Sequence, residues 1–145
     1  MRQTWFVVAL VSIGCTGPER PLSVSLRPGE LAYRASTAAG QPLVEGRLEL
    51  VVTDDTIITG TWHIGWAPGA DTTLQVGPQF GDGQLLGRRI GDRFAIGLNE
   101  VGPQAYNDNN VYLLATPTNA GWRGEWVWST IAGPAASGPF SALRE

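Results

Sequence analysis

From Gly46 to Trp66, apolar and polar residues alternate with a period of two, and a strand buried on one face and wet on the other is what that period produces. Leu48, Leu50 and Val52 fall on one side, with Arg47 and Glu49 on the other. Asp54-Asp55 marks a turn, after which Ile58, Gly60, Trp62, Ile64 and Trp66 share a face and Thr59, Thr61 and His63 take the opposite one. The stretch predicts an antiparallel hairpin whose register is fixed, because a slip of one residue would turn every apolar side chain to solvent.

The rest of the chain repeats this unit. Leu22 to Leu26 alternates with serine, Arg27-Pro28-Gly29-Glu30 has turn chemistry, and Leu31 to Ser36 reads as a returning strand, with a short helix from Glu30 as the alternative. Thr37 to Pro42 is a loop of small residues, Ala67 to Asp71 a Pro-Gly loop, and Thr72 to Val76 a further short strand. Gln84 to Arg89 and Arg93 to Asn99 form a hairpin about Gly91-Asp92, with Phe94, Ile96 and Leu98 inward. Val101 to Asn110 is a longer loop, Val111 to Thr116 a strand, and Pro117 to Gly121 a turn. Gly121 to Thr130 places Trp122, Gly124, Trp126 and Trp128 on one face; Ala132 to Gly138 reads as a loop and Pro139 to Arg144 as the closing strand. Short strands at this spacing, about eight to ten of them, predict an all-β fold. A small antiparallel up-and-down barrel is favoured because closure removes exposed edges; a β-sandwich is the alternative.

Two three-residue frames stand out in the hairpin series, Gly60-x-Trp62 and Gly124-x-Trp126. A glycine beside a bulky ring suits a place where one sheet curves closely over another. With the glycine-punctuated hairpins, they make Gly46 to Arg144 resemble avidin-like and lipocalin-like small barrels. Lipocalins carry Gly-x-Trp on their first strand, whereas both copies here lie well inside the chain, so the resemblance implies the architecture and transfers no ligand residue.

The N-terminus has a different character. Met1-Arg2-Gln3-Thr4 carries one positive charge, Trp5 to Ile13 is apolar but for Ser12, and Ser12-Ile13-Gly14-Cys15 puts small residues before the single cysteine. The apolar run is about half of what a membrane-spanning helix needs. Basic start, short apolar stretch and small-residue cleavage site are the parts of an export signal, and with Cys15 at the cut this segment resembles a bacterial lipoprotein signal peptide with its lipobox. The resemblance implies that residues 1–14 are removed, that Cys15 is lipidated and becomes the mature N-terminus, and that 15–21 tether a single domain spanning 22–145. It implies a place in the cell envelope, with Thr16 after the cysteine favouring the outer over the inner membrane in a Gram-negative cell. A secreted protein cut near Gly17 is the alternative.

About 130 residues then remain, enough for one core. Cys15 is the only cysteine, so no disulfide can form within the chain. The net charge is −3 and the charges are interspersed; the basic residues are all arginine. That distribution argues against nucleic acid as a partner. His63 is the only histidine, on the polar face of its strand, and no Gly-x-Ser-x-Gly elbow occurs. Neither a hydrolytic triad nor a zinc site has its ligands, and no catalytic residue, metal or cofactor is expected. Asn107-Asp108-Asn109-Asn110 is turn chemistry rather than a calcium loop, lacking the glycine and distant glutamate of an EF-hand. Glu45, Glu49 and Glu125 lie near Arg47 and Arg123 on outward faces, as cross-strand ion pairs would.

The tryptophans are the remaining binding candidates. Trp62, Trp66, Trp126 and Trp128, with Trp122, are all expected inward, and a barrel of about eight strands either fills with side chains or holds one small ligand. Three functional readings follow: a non-catalytic structural or interaction barrel showing loops such as Val101 to Asn110 to a cell-envelope protein; a binder of a small hydrophobic ligand or sugar through the interior tryptophans; and an enzyme inhibitor.

Overall fold

The computed structural model of the chain describes residues 27–52, 54, 56–100 and 109–145. The signal segment, Cys15 and its tether, the alternation from Leu22 to Leu26, Asp55 and nearly all of the Val101 to Asn110 loop lie outside the described residues. The described chain is all-β. Eight strands run β1 (Gly29–Ser36), β2 (Pro42–Val52), β3 (Ile57–Trp66), β4 (Gly81–Ile90), β5 (Arg93–Glu100), β6 (Asn109–Thr118), β7 (Gly121–Thr130) and β8 (Gly133–Leu143). Each pairs antiparallel with its neighbour in sequence, and β8 returns to β1, closing an up-and-down barrel. The sandwich alternative is therefore replaced by a single closed sheet.

The alternation seen in the sequence is the inside and outside of this wall. Leu48 and Leu50 on β2, Ile58, Trp62 and Ile64 on β3, Phe94, Ile96 and Leu98 on β5, and Val111, Leu113 and Ala115 on β6 are buried in one core. Leu31, Tyr33 and Ala35 show that the segment after Glu30 is strand, not helix. Gly29 and Glu30, expected in a turn, already belong to β1, because Leu50 and Glu49 stand opposite them on β2. The turn between β4 and β5 is two residues long, Gly91 and Asp92, with positive φ at Gly91 only. That is the conformation in which glycine takes the first central position of a tight hairpin.

Two glycines make the barrel's curvature possible. A Cβ on Gly60 would lie 1.9 Å from the carbonyl oxygen of Glu49, and one on Gly124 would lie 1.9 Å from that of Leu114. The close approach is to the backbone of the adjacent strand in the same wall, not to a second sheet as the Gly-x-Trp frames had suggested. The tryptophan of each frame then lies over a glycine on the following strand: Trp62 over Gly83 of β4, Trp126 beside Gly138 of β8. In a ring of eight strands, β3 and β7 are on opposite sides, so the same device bends the wall twice.

Three further expectations change. Residues 133–138 are not a loop but the first half of β8, paired with β7 through Trp126↔Gly138 and Trp128↔Ala136. Their small side chains fit beside the large rings of β7. Thr72 to Val76 is not a strand; it belongs to the connection of residues 67–80 that crosses the barrel mouth. Pro117 lies within β6, opposite Trp122 of β7, beyond the Phe94↔Ala115 pair at which β6 leaves β5. A missing N–H is tolerated at such a position. The seam between β1 and β8 is short, from Ala32↔Leu143 to Ala35↔Phe140. Arg144 reinforces it, donating from Nη2 to the Arg27 carbonyl at 2.6 Å and from Nη1 to that of Pro28 at 3.3 Å.

Candidate functional site

The barrel interior was the first place to expect a ligand, and side chains occupy it. Trp62 is 2 % and Trp126 1 % exposed. Their indole N–H groups are already engaged, Trp62 donating to the Gln84 carbonyl at 3.2 Å and Trp126 to the Ser36 carbonyl at 2.8 Å. Trp122, at the opposite end from the 67–80 connection, is stacked on Phe94 at 6.2 Å, with the Arg89 guanidinium 5.3 Å from the Phe94 ring.

Trp66 and Trp128 are placed differently. Both sit where the 67–80 connection meets the wall. Trp66 packs on Phe80 at 4.5 Å and is 36 % exposed, so it is not fully inward as its strand position implied. Trp128 lies against Gly77 and donates its N–H to Asn109. Between them Gln79 is wholly buried; its amide donates to the Val76 carbonyl at 2.8 Å and its Oε1 accepts from the Tyr33 hydroxyl at 3.2 Å. Burial pushes the Tyr33 hydroxyl far above its ordinary pKa, keeping it a donor. The four candidate tryptophans thus divide by function: two fill the core, and two hold the mouth connection down. Gln79 carries no signal in the sequence, since it stands between Pro78 and Phe80 outside any alternation.

Polar chemistry collects on the outer wall instead. Across β1 to β4 the outward residues form two ion pairs, Arg34 with Glu45 at 3.9 Å and Arg47 with Glu30 at 3.5 Å, and a hydrogen bond between His63 Nδ1 and Asp82 Oδ1 of β4 at 2.6 Å. Arg47 thus pairs with Glu30 of β1 rather than with Glu45 or Glu49 of its own strand, Glu45 pairs with Arg34, and among the described residues Glu49, Arg123 and Glu125 form no ion pair. Ala32 and Gly65 are the short residues among them, and a groove of about 530 Å³ opens there, bounded by Arg34, Glu45, Arg47, His63, Trp66 and Glu145. Exposed pairs of this kind add little stability, about 0–1 kcal/mol each. Among the described residues, no group of three or more His, Cys, Asp or Glu side chains is arranged to hold a metal ion.

The wall opposite this groove has another composition. One register row runs Leu86, Gly97, Tyr112, Val127 over β4 to β7, and the next runs Arg88, Ala95, Leu114, Glu125. Leu86, Tyr112 and Leu114 are 40 % exposed or more. Polar inside and apolar outside is the pattern of a barrel in lipid; here the core is apolar and half of the outer wall is charged. Neither surface was visible in the sequence, because each depends on which strands lie side by side. Compared with known proteins, the chain matches no family model, no curated protein and no solved structure.

Proposed function

We propose that this chain is an exported, lipid-anchored and non-catalytic barrel of the cell envelope that binds through its outer wall. The observation that carries the reading is the engagement of the interior tryptophans. Trp62 and Trp126 are buried with their N–H groups bonded to backbone carbonyls, so a ligand entering between them would have to displace both rings and both bonds. The resemblance of the first fifteen residues to a lipoprotein signal supports the anchor, and membrane attachment through lipid on Cys15 leaves the folded wall free to meet a cell-envelope protein. An inhibitor of an envelope enzyme would use the same wall.

A second reading has its own observation. The groove between Arg34, Arg47 and His63, with the half-exposed Trp66 ring at its end, offers charged groups and one aromatic surface to a small polar molecule such as a sugar. Native mass spectrometry of the chain, recovered gently from its own host, tests both. The expected result is the mass of the processed, acylated chain without a further small-molecule adduct. An adduct lost in Trp62→Ala but kept in Arg47→Ala would overturn the filled-interior reading; one with the reverse dependence would support the groove.

A further inference from the structure

We propose that the β4–β7 wall docks on an anionic lipid surface, with Arg88, Arg93 and Arg123 on the headgroups and the exposed apolar side chains among them at the headgroup boundary. This docking rests on the anchored reading only for the presence of a bilayer; the wall's own affinity is measured without the lipid on Cys15.

Charge selects the occupant. The chain carries a net charge of −3, yet among the described outward residues of β4 to β7 three arginines, Arg88, Arg93 and Arg123, stand against Glu125, and the other acid of that wall, Asp82, is bonded to His63 at its far corner. All three arginines are exposed, and none has an ion pair among the described residues. On the opposite wall Arg34 and Arg47 are each held by a carboxylate. The free arginines also lie near one another. Arg93 faces Ile90, two residues along β4 from Arg88, and the β5–β6 register continued past Ala95↔Leu114 brings it level with Thr116, which faces Arg123. Strand spacing and rise then put Arg93 about 8 Å from Arg88 and about 10 Å from Arg123, a span of neighbouring headgroups.

The apolar part of the wall fits the same occupant. Leu86, Ile90, Tyr112 and Leu114 are 40 % exposed or more, and basic residues mixed with apolar and aromatic ones are what a surface resting in the headgroup layer presents. A curved wall meets a flat protein along a narrow strip, whereas a fluid headgroup layer conforms to it, and the long arginine stems let the flanking guanidinium groups reach phosphate. Docking by the end of the barrel that carries the β2–β3 and β4–β5 turns would instead press the exposed carboxylates Asp54 and Asp92 on the headgroups. The eleven residues between Cys15 and Arg27 reach at most about 40 Å, which lets the barrel lie on its side. Its β1–β3 groove then faces away from the bilayer.

Partition of the full Cys15→Ser chain onto sucrose-loaded vesicles at about 0.1 M salt tests it, with phosphatidylcholine alone compared to phosphatidylcholine mixed with phosphatidylglycerol. Residues 1–14 are common to every variant, so differences between variants report the wall. An arginine held at an anionic surface is worth about fivefold in partition. Arg88→Gln/Arg93→Gln/Arg123→Gln is therefore expected to lose about tenfold or more on the phosphatidylglycerol vesicles and less than about threefold on phosphatidylcholine. Glu125→Gln should gain about threefold on the anionic vesicles, and Glu49→Gln, exposed on the opposite wall, should gain nothing. Circular dichroism melts of these variants, altered only at exposed positions, control for folding. A triple variant that binds as its parent does, or loses equally on both vesicles, overturns the proposal. So do equal gains at Glu125 and Glu49, which would reduce the effect to net charge. Failure of the anchored reading would show in palmitate incorporation into the parent and not in these partitions.

Discussion

A Cβ at Gly60 or Gly124 would sit inside the van der Waals radius of a neighbouring carbonyl oxygen, whereas one at Gly65 meets nothing within 4 Å. Gly65 also faces outward and has no positive φ. The three positions are all strand glycines, so β propensity alone would rank them together. Sterics separates them: Gly60→Ala and Gly124→Ala are each expected to cost about 3 kcal/mol or more, and Gly65→Ala to lie within about 0.5 kcal/mol of the parent, measured as urea midpoints. Equal losses at all three would mean that the wall relaxes around the added methyl. The buried Tyr33–Gln79 bond makes a second case. Tyr33→Phe removes a donor and leaves Gln79 Oε1 without a partner in a dry site, so a loss of about 1–3 kcal/mol is expected; an unchanged midpoint would show that water reaches the amide.

At the scale of single elements, two carboxylates close turns. Asp54, before β3, accepts from the Thr56 hydroxyl and from the N–H groups of Thr56 and Ile57, and Asp71 accepts from the Thr73 hydroxyl and N–H. These bonds hold both carboxyls below their ordinary pKa, with the threonine hydroxyl the largest cause in each. Folded values below the unfolded ones mean that this stabilisation is complete above the ordinary carboxylate range and is lost as pH falls through the folded values. Thermal melts are therefore expected to drop at acid pH, and Asp54→Asn/Asp71→Asn to flatten that drop; an unaltered acid limb would place the dependence elsewhere. The same elements show what the sequence could and could not disclose. β3, β5, β7 and the part of β2 from Gly46 on were legible because large apolar residues alternate there with polar ones, whereas the start of β2, with Leu43 and Val44 both buried, breaks the alternation. The first half of β8 was not legible, since Pro134, Ala135, Ala136 and Ser137 have turn composition and become strand only through pairing with β7. Thr72 to Val76 misled in the other direction: its alternation is apparent, but the Asp71 turn sends it across the mouth. The inward tryptophans were readable from spacing, yet their division into core fillers and mouth pins required the partner glycines, Gly83 and Gly77, which lie far off in sequence.

At the scale of the whole molecule, the anchor and the barrel are separable. One acyl chain holds a protein at a membrane only marginally, and two or more hold it firmly, so on the proposed reading the lipids on Cys15 confine the barrel to a surface, while its wall, closed between β1 and β8, folds without them. Replacing Cys15 with serine should therefore abolish palmitate incorporation and move the protein out of the salt-washed membrane fraction, while leaving its urea midpoint unchanged. If Cys15→Ser stays membrane-bound through the wash, the anchor is not the lipid; if its midpoint falls, the anchor and the barrel are not independent.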